Sequence, residues 1–192
     1  LTIKVSLIFY KWVICVSPSP TSSLVNSISF STKVETVPWG VSKDYINFPI
    51  ESTSYRYHLV FLGRPNSQKL KISTIRQIIH LFKSQKIVSD TRNLNFAFIV
   101  PNSSRHLKFI QRSIQKDYGC SIKTYKSLDN YRVAEVLSTS LYSFNCFEWE
   151  AYGLSYIESL CMGCNVILPN TSPIITVIDF MKESPVFKLN IS

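Results

Sequence analysis

Hydrophobic positions along the chain change their spacing repeatedly, and each change marks the end of one predicted element and the start of another. The run YHLVFLG (57–63) is rich in residues that favour strands and ends in glycine, which predicts a buried strand. From Leu70 to Lys83 the apolar residues instead recur at helical spacing. These apolar positions are Ile72, Ile75, Ile79 and Phe82. The pattern predicts a strand followed by an amphipathic helix.

The same alternation continues to the end of the chain. Further strands are predicted at 95–101, 121–125, 140–144, 165–169 and 185–189. One helix between them is predicted from the apolar positions Leu107, Ile110 and Ile114 and ends before Gly119. A second follows a cap at Asp129 or Asn130 and has its apolar positions at Val133, Val136 and Leu137. Two more helices are predicted over 155–162 and 173–182. Strands that alternate with helices are typical of a parallel sheet covered on both faces, because parallel neighbours need crossover connections.

Residues 1–48 do not follow this alternation. KWVICVS (11–17) and VETVP (34–38) predict two strands, and SKDYINFPIESTS (42–54) is typical of a linker. We interpret 1–48 as the end of an amino-terminal domain with its linker, and 49–192 as one carboxyl-terminal Rossmann-like domain. The opening LTIKVSLIFYKWVICV contains two lysines and no apolar run of about 18 residues, so it predicts buried strand rather than a membrane span.

The charge of the chain indicates an anionic partner. Its 192 residues include 21 Lys and Arg against 12 Asp and Glu, a formal net charge of +9. Nucleic acid, an acidic membrane surface and a phosphorylated small molecule all fit this excess. The basic residues form no long block, so solvated surface positions are the alternative explanation. The five cysteines are too scattered for a disulfide framework, and CMGC (161–164) has no second metal-binding pair, so reduced thiols are expected.

Candidate chemistry follows from the strand ends, where ligands bind in doubly wound sheets. In the loop GRPNSQK (63–69), Arg64 and Lys69 suit a diphosphate, with the positive end of the next helix behind them. The alternative is that Arg64 and Lys69 are ordinary surface residues without a ligand. The loop VPNSSRH (100–106) ends the next strand.

A third strand-end segment, EWEAYGLSYIESL (148–160), gathers carboxylates in this basic chain. Gly153 would let the backbone approach a phosphate or sugar. We expect Glu150 before it and Glu158, in the first turn of the following helix, to face one cleft. Ser155 and Glu158 also fit a capping box, which would explain Glu158 without a ligand. A glycosidase-like acid pair is a third explanation.

These segments resemble the motifs of one enzyme family. EAYGLSYIESLCMGCNVI (150–167) is similar to the E-x7-E signature of the group 1 retaining glycosyltransferases of GT-B architecture. VETVPWGVS (34–42) resembles the family's V-x-x-I-P-N-G-V-D, and VFLGRPNSQK (60–69) resembles its G-R-x-x-x-x-K. The signature positions that match are Glu150, Gly153, Leu154, Glu158, Gly163, Val166 and Ile167. The positions that depart from the three patterns are Trp39, Ser42, Leu70, Ala151 and Asn165.

The resemblance implies a fold and a set of residue roles. The fold is a doubly wound parallel sheet with strand order 3-2-1-4-5-6, the GT-B carboxyl-terminal domain, preceded by a remnant of a second Rossmann-like domain for the acceptor. Arg64 and Lys69 would hold the donor diphosphate and stabilise its developing charge, and Glu158 would accept hydrogen bonds from the ribose. The donor-binding and catalytic residues implied are Gly40, Arg64, Lys69, Glu150, Gly153, Leu154 and Glu158, with Glu150 on the transferred sugar.

The implied function is transfer of a hexose-type sugar from a UDP- or GDP-linked donor with retention of configuration, this chain being chiefly the donor-binding part. Neither a metal nor another cofactor is expected, and a glycan, lipid or protein would be the acceptor. The expected location is the cytoplasm, including the cytoplasmic membrane face. One alternative is a non-catalytic nucleotide-sugar-binding module. Another is a nucleic-acid-binding domain, for which the sequence offers no recognisable reading motif.

Overall fold

A computed structural model describes residues 12–15, 33–36, 41–50, 54–144, 153–169 and 186–189. The chain divides into two compact units. The first contains residues 1–40, 149–154 and 171–183, and the second contains 41–148, 155–170 and 184–192. The helix predicted over 173–182 lies outside the described residues.

The first unit contains a pair of strands. Strand β1 (Trp12–Cys15) and strand β2 (Lys33–Thr36) pair in parallel, from Trp12 opposite Lys33 to Cys15 opposite Thr36. Both strands were predicted from sequence, and both are confirmed.

The second unit is built on a six-stranded parallel sheet. Its strands are β3 (Tyr57–Leu62), β4 (Asn95–Val100), β5 (Ser121–Lys126), β6 (Ser140–Phe144), β7 (Asn165–Pro169) and β8 (Val186–Leu189). The spatial order is β5-β4-β3-β6-β7-β8, and every neighbouring pair is parallel. Counted within the sheet, this is the order 3-2-1-4-5-6 that the resemblance implied, so the predicted fold class is confirmed.

The helices are α1 (Lys43–Ile46), α2 (Ile72–Ser84), α3 (Arg105–Tyr118), α4 (Asn130–Ser138) and α5 (Leu154–Cys161), with a 3-10 turn at Thr91–Asn93. None of the helices in the described residues is long and apolar enough to cross a membrane. The four longer helices lie where the apolar spacing predicted them. Each follows a strand, which places its first turn near the carboxyl edge of the sheet.

Alternation along the central strands divides the core between the two faces of the sheet. In β3, Leu59 and Phe61 belong to the cluster that includes the buried residues of α2 and α3. Val60 belongs to the other cluster, which includes the buried residues of α4. In β4, Phe98 and Ile99 divide in the same way. Because successive side chains of a strand point to opposite faces, one continuous apolar run fills two cores.

Local capping fixes where the helices begin and end. Ser104 accepts a hydrogen bond from the Leu107 amide at 3.0 Å, which caps α3. Of the two candidate caps for α4, Asp129 is the one used, and its carboxylate accepts from the Arg132 amide at 2.8 Å. Gly119 ends α3 with φ 66°, a left-handed conformation that glycine adopts without steric cost.

The segment predicted as a linker contains a short helix. Helix α1 is capped by Ser42, and its Tyr45 side chain is only 3% exposed, packed in the α4-side cluster. Burial of a large aromatic ring therefore orders residues that sequence composition had marked as connecting chain. The predicted domain division at residue 48 stays a prediction.

Candidate functional site

The sheet has a topological switch between β3 and β6. From β3 the chain moves outward through β4 to β5, then returns to the other side of β3 and continues through β6 to β8. The connections on the two sides of this point leave in opposite directions, which opens a crevice at the carboxyl ends of the two strands. The loop after β3 carries Arg64 and Lys69, and the helix after β6 carries Glu158. The structure thus brings three predicted site residues to elements that meet at the switch point.

Hydrogen bonds fix the loop after β3 at both of its ends. The Gly63 amide donates to the Ile99 carbonyl at 3.1 Å, which holds the start of the loop to β4. Within the loop, the Lys69 amide donates to Asn66 Oδ1 at 2.8 Å, and the Leu70 amide donates to the Asn66 carbonyl at 3.0 Å. Asn66 therefore shapes the loop as an internal cap. This role was not predicted from sequence, although asparagine commonly bonds to the backbone of a turn.

Helix α3 holds the same loop from the side. Ser104 Oγ donates to the Pro65 carbonyl at 3.0 Å, and His106 Nε2 lies 2.7 Å from the Leu70 carbonyl oxygen. These two contacts join the strand ends of β3 and β4. The loop VPNSSRH, noted in the sequence only for its position, thus supports the backbone that carries Arg64 and Lys69.

The two cations have different environments. Arg64 is exposed, and Lys69 is partly buried next to Leu70, whose side chain is fully buried. Behind them, α2 begins after Lys71, which has no side-chain acceptor for the first amides, and the first turn of α2 contains no acidic residue. The positive end of α2 is therefore not neutralised by a capping side chain or a first-turn carboxylate. A helix end of this kind beside a lysine and an arginine suits a phosphate.

The structure corrects the predicted position of Glu158. Helix α5 begins at Leu154, so Glu158 is its fifth residue and has no acidic neighbour in the first turn. Ser155 lies inside the helix, where its carbonyl accepts from Ser159 Oγ at 2.7 Å. The Ser155–Glu158 capping box and the first-turn position are therefore both wrong. The reason is Gly153, whose φ of 74° turns the chain into the helix two residues earlier than the serine would.

The Glu158 carboxylate is half-buried, and its hydrogen-bonding capacity is unused within the described part of the chain. Burial raises its pKa to about 7. Its charge in turn raises the pKa values of the Tyr45 phenol and the Cys161 thiol, although burial is the larger cause for both. A buried acceptor without donors is costly unless a ligand or water satisfies it. Glu158 is thus a ligand-binding candidate on physical grounds independent of the motif.

A cavity of about 450 Å³ lies at the carboxyl ends of β3, β4 and β5. We call it the strand-end cavity. Its walls are Leu62, Gly63, Ile99, Val100, Pro101, Ser127, Leu128 and Val133. The volume falls in the range of about 300 to 1,000 Å³ common for small-molecule sites, and the walls are mostly apolar. Such walls suit the flat face of a nucleobase.

The turn after β5 is the part of this site that the sequence analysis missed. Ser127 has φ 49°, rare for a residue other than glycine, and is held by two hydrogen bonds. Its amide donates to the Val100 carbonyl at 3.0 Å, and its Oγ donates to the Pro101 carbonyl at 2.7 Å. The signal available was its position immediately after a predicted strand, since every strand end at this edge contributes to the crevice.

The remaining predicted site residues are only partly described. Gly153 is buried, and Leu154 is partly buried at the start of α5. Gly40 and Glu150 lie outside the described residues, so their roles stay predictions. Within the described ranges, no group of three or more His, Cys, Asp or Glu side chains could hold a metal ion. Cys120 and Cys164 are buried free thiols, and burial raises their pKa values to about 11 and about 12.

The chain matches no family model and no curated protein sequence. Its fold, however, is similar to several solved structures. These include a trehalose-6-phosphate synthase, OtsA (TM-score 0.71, 10% identity, 98% of this chain and 51% of that one). A second is the sucrose-phosphate synthase of Thermosynechococcus elongatus (TM-score 0.65, 16% identity, 98% of this chain and 47% of that one). A third is the pneumococcal O-GlcNAc transferase GtfA in complex with UDP and GlcNAc (TM-score 0.60, 15% identity, 84% of this chain and 30% of that one).

These similarities establish the fold. The chain has an α/β Rossmann-like fold similar to parts of these structures, and the predicted fold class is confirmed. It spans between 30% and 51% of the length of the three structures compared.

Proposed function

We propose that the chain forms the donor-binding part of a retaining glycosyltransferase that moves a hexose-type sugar from a UDP- or GDP-linked donor to an acceptor. The strand-end cavity would receive the nucleobase. Arg64, Lys69 and the first turn of α2 would hold the diphosphate, and Glu158 would accept hydrogen bonds from the ribose. Gly40, Glu150 and the backbone at Gly153 and Leu154 would complete the sugar site.

The observation that carries the proposal is the half-buried Glu158 carboxylate, which has no hydrogen-bond donor among the described residues and lies on the helix that follows the switch-point strand β6. A neutral ribose offers two adjacent hydroxyl donors, which suit the two oxygens of a carboxylate. The cationic loop after β3 lies at the neighbouring strand end and suits the phosphates that follow the ribose. The carboxylate after β6 thus suits the ribose of a nucleoside diphosphate, and the cations after β3 suit its phosphates.

The experiment is calorimetric titration of the chain with UDP, GDP and ADP, and with the matching nucleosides. We expect one of the diphosphates to bind with micromolar to millimolar affinity. In the double variant Arg64→Ala with Lys69→Ala, that affinity should fall about a hundredfold or more, since each of the two charge-assisted contacts contributes about 1.5 to 3 kcal/mol. Nucleoside affinity should change little.

A variant with the same change of net charge serves as the control. Arg112→Ala with Lys116→Ala removes two exposed cations from α3 and should leave both affinities within twofold. Equal losses in the two double variants would indicate nonspecific attraction rather than a diphosphate site. The absence of any binding heat with all three diphosphates would reject the donor site.

Turnover separates the enzyme from the non-catalytic alternative. A transferase is expected to release nucleoside diphosphate slowly from the matching nucleotide sugar, even with water as the acceptor. A retaining mechanism should release the sugar first in the anomeric configuration of the donor, which NMR can read. Binding without any turnover in the full-length protein would favour a nucleotide-sugar-binding module instead.

A further inference from the structure

A second cavity is lined by residues of β5, of α4, of the connection between them and by the residue that precedes β3. Its volume is about 290 Å³. Its lining residues are Arg56, Lys123, Tyr125, Leu128, Arg132, Glu135 and Val136. We call it the basic cavity. Leu128 lines this cavity and the strand-end cavity, whereas Arg64, Lys69 and Glu158 do not line the basic cavity.

The lining carries an excess of positive charge. Arg56, Lys123 and Arg132 provide three cations, and Glu135 is the one carboxylate among the described residues that line the cavity. Arg132 Nη1 lies 2.6 Å from Glu135 Oε2, so the glutamate neutralises the cation on its own helix. Arg56 and Lys123 approach the cavity from other elements, and the lining has a formal net charge of +2.

Tyrosines add a polar wall. Lys123 Nζ lies 5.0 Å from the centre of the Tyr125 ring, and the Tyr125 and Tyr57 hydroxyls are 2.6 Å apart. Either hydroxyl could be the donor in this bond. When Tyr57 donates, the proton of Tyr125, which lines the cavity, is available for a ligand. Burial and the bond to Tyr125 raise the pKa of Tyr57 to about 12, so the Tyr57 phenol stays protonated near neutral pH.

The backbone that carries these groups is fixed. The Arg56 amide donates to the Thr139 carbonyl at 2.8 Å, and Asn95 Nδ2 donates to the Arg56 carbonyl at 3.3 Å. Lys123 lies within β5 opposite Ala97 of β4. Cations fixed on a sheet and a helix lose less entropy on binding than cations on a mobile loop.

We propose that the basic cavity is a binding site for the phosphate monoester group of a small molecule, distinct from the loop predicted to hold the donor diphosphate. Guanidinium groups pair with phosphate oxygens through parallel hydrogen bonds, and an ammonium supplies a compact charge. A phosphate monoester carries a charge of about −1.5 to −2 near neutral pH, which matches the charge of the lining. The concave shape favours a compact ligand over an extended surface.

The test uses glycerol 3-phosphate as the probe and glycerol as the uncharged control. Titrations are made by calorimetry on the chain carrying Arg64→Ala and Lys69→Ala, so that the predicted donor loop contributes no phosphate binding. We expect saturable binding of one equivalent at physiological ionic strength. Lys123→Gln and Arg56→Gln should each weaken it tenfold or more, while Lys116→Gln on α3 should change it less than twofold.

Circular dichroism and thermal unfolding of each variant verify that the chain is folded. Two outcomes would overturn the proposal: no saturable binding in the folded parent, or equal weakening by Lys116→Gln, which would mean diffuse attraction. Flotation with phosphatidic acid vesicles identifies the source of the phosphate. Vesicle binding that glycerol 3-phosphate displaces would support the same site with a lipid as its ligand. Vesicle binding that glycerol 3-phosphate leaves unchanged, with no binding of the free probe, would also overturn the proposal.

Discussion

At the scale of single residues, Glu158 decides most about the site. Its carboxylate is half-buried on α5 and has a pKa raised to about 7 by burial. The unfolded chain would bind the same proton only near the ordinary value of 4.5. Between these two values the folded state therefore holds a proton that the unfolded state has released, and protonation favours folding in that window.

The first prediction concerns stability and pH. The stability that protonation of Glu158 contributes is fully present below about pH 4.5. It is lost progressively as the pH rises from there through about 7. Glu158→Gln, which carries no charge, should therefore be more stable than the parent at pH 8 by about 1 to 2 kcal/mol, allowing for solvent screening. The difference should vanish near pH 4.5. Urea unfolding of both proteins at the two pH values measures it, and a difference independent of pH would contradict the assigned pKa.

The second prediction concerns ligand affinity. If ionised Glu158 accepts the ribose hydrogen bonds, affinity for a nucleotide sugar should rise with pH through about 7, reaching about tenfold between pH 5.5 and 8. A nucleotide sugar is the suitable probe because its diphosphate has no group that titrates near neutral pH. Glu158→Gln should bind about tenfold more weakly at pH 8, a loss of about 1.4 kcal/mol, and show a flat pH profile. A parent profile that is also flat would place the ribose elsewhere.

At the scale of elements, the hydrogen bonds from the start of α3 to the loop after β3 hold the backbone that carries the two cations. His106 Nε2 lies 2.7 Å from the Leu70 carbonyl, just after Lys69. Ser104 makes the companion bond to Pro65 but also caps α3. Replacing the serine would change helix and loop together, so His106 is the cleaner position for testing the loop.

The third prediction is that His106→Ala weakens binding of the nucleoside diphosphate about fivefold and leaves the nucleoside unaffected. One hydrogen bond contributes about 1 kcal/mol, which corresponds to that ratio. The matched control is His80→Ala, since His80 is exposed on α2. Calorimetry with UDP or GDP and the corresponding nucleoside measures the two ratios. Equal loss for both ligands would indicate a general effect on folding rather than positioning of the loop.

At the scale of the whole molecule, one aromatic cluster joins the central strands. The Phe61 ring centre in β3 lies 6.2 Å from that of Phe98 in β4 and 5.6 Å from that of Phe144 in β6. All three rings are buried on the face of the sheet that α2 and α3 cover. Because β3 and β6 form the switch point, the same packing that stabilises the sheet also fixes the spacing of the site.

The fourth prediction is that Phe61→Ala lowers the free energy of unfolding by about 3 to 5 kcal/mol, through lost burial and the cavity that remains. Phe109→Ala is the matched control, since Phe109 on α3 is 61% exposed. Its effect should stay within about 0.5 kcal/mol. Urea unfolding measures both values. Similar losses at the two positions would contradict the assignment of Phe61 to the core.

The sequence by itself determined the succession of elements and the sheet. The features that determined the elements are local: apolar spacing of two or of 3.6 residues, the glycine after α3 and the polar cap of α4. Such spacing sets which face of an element is buried, and the glycine and the cap set where its local hydrogen bonds end or begin. The resemblance of the motifs then supplied the strand order, which the structure confirms. It also identified Arg64, Lys69 and Glu158, which the sheet places on elements around one crevice.

Only the tertiary structure decided the state of Glu158 and the extent of the cavities. S-x-x-E spacing is equally consistent with a helix cap and with a ligand contact. The start of α5 at Leu154 and the burial of the carboxylate removed the first explanation. The strand-end cavity and the basic cavity likewise join residues from separate strands and helices. Which residues become neighbours in these cavities depends on how the elements pack across the sheet. The periodicity of a single element does not encode the distances between residues of different elements.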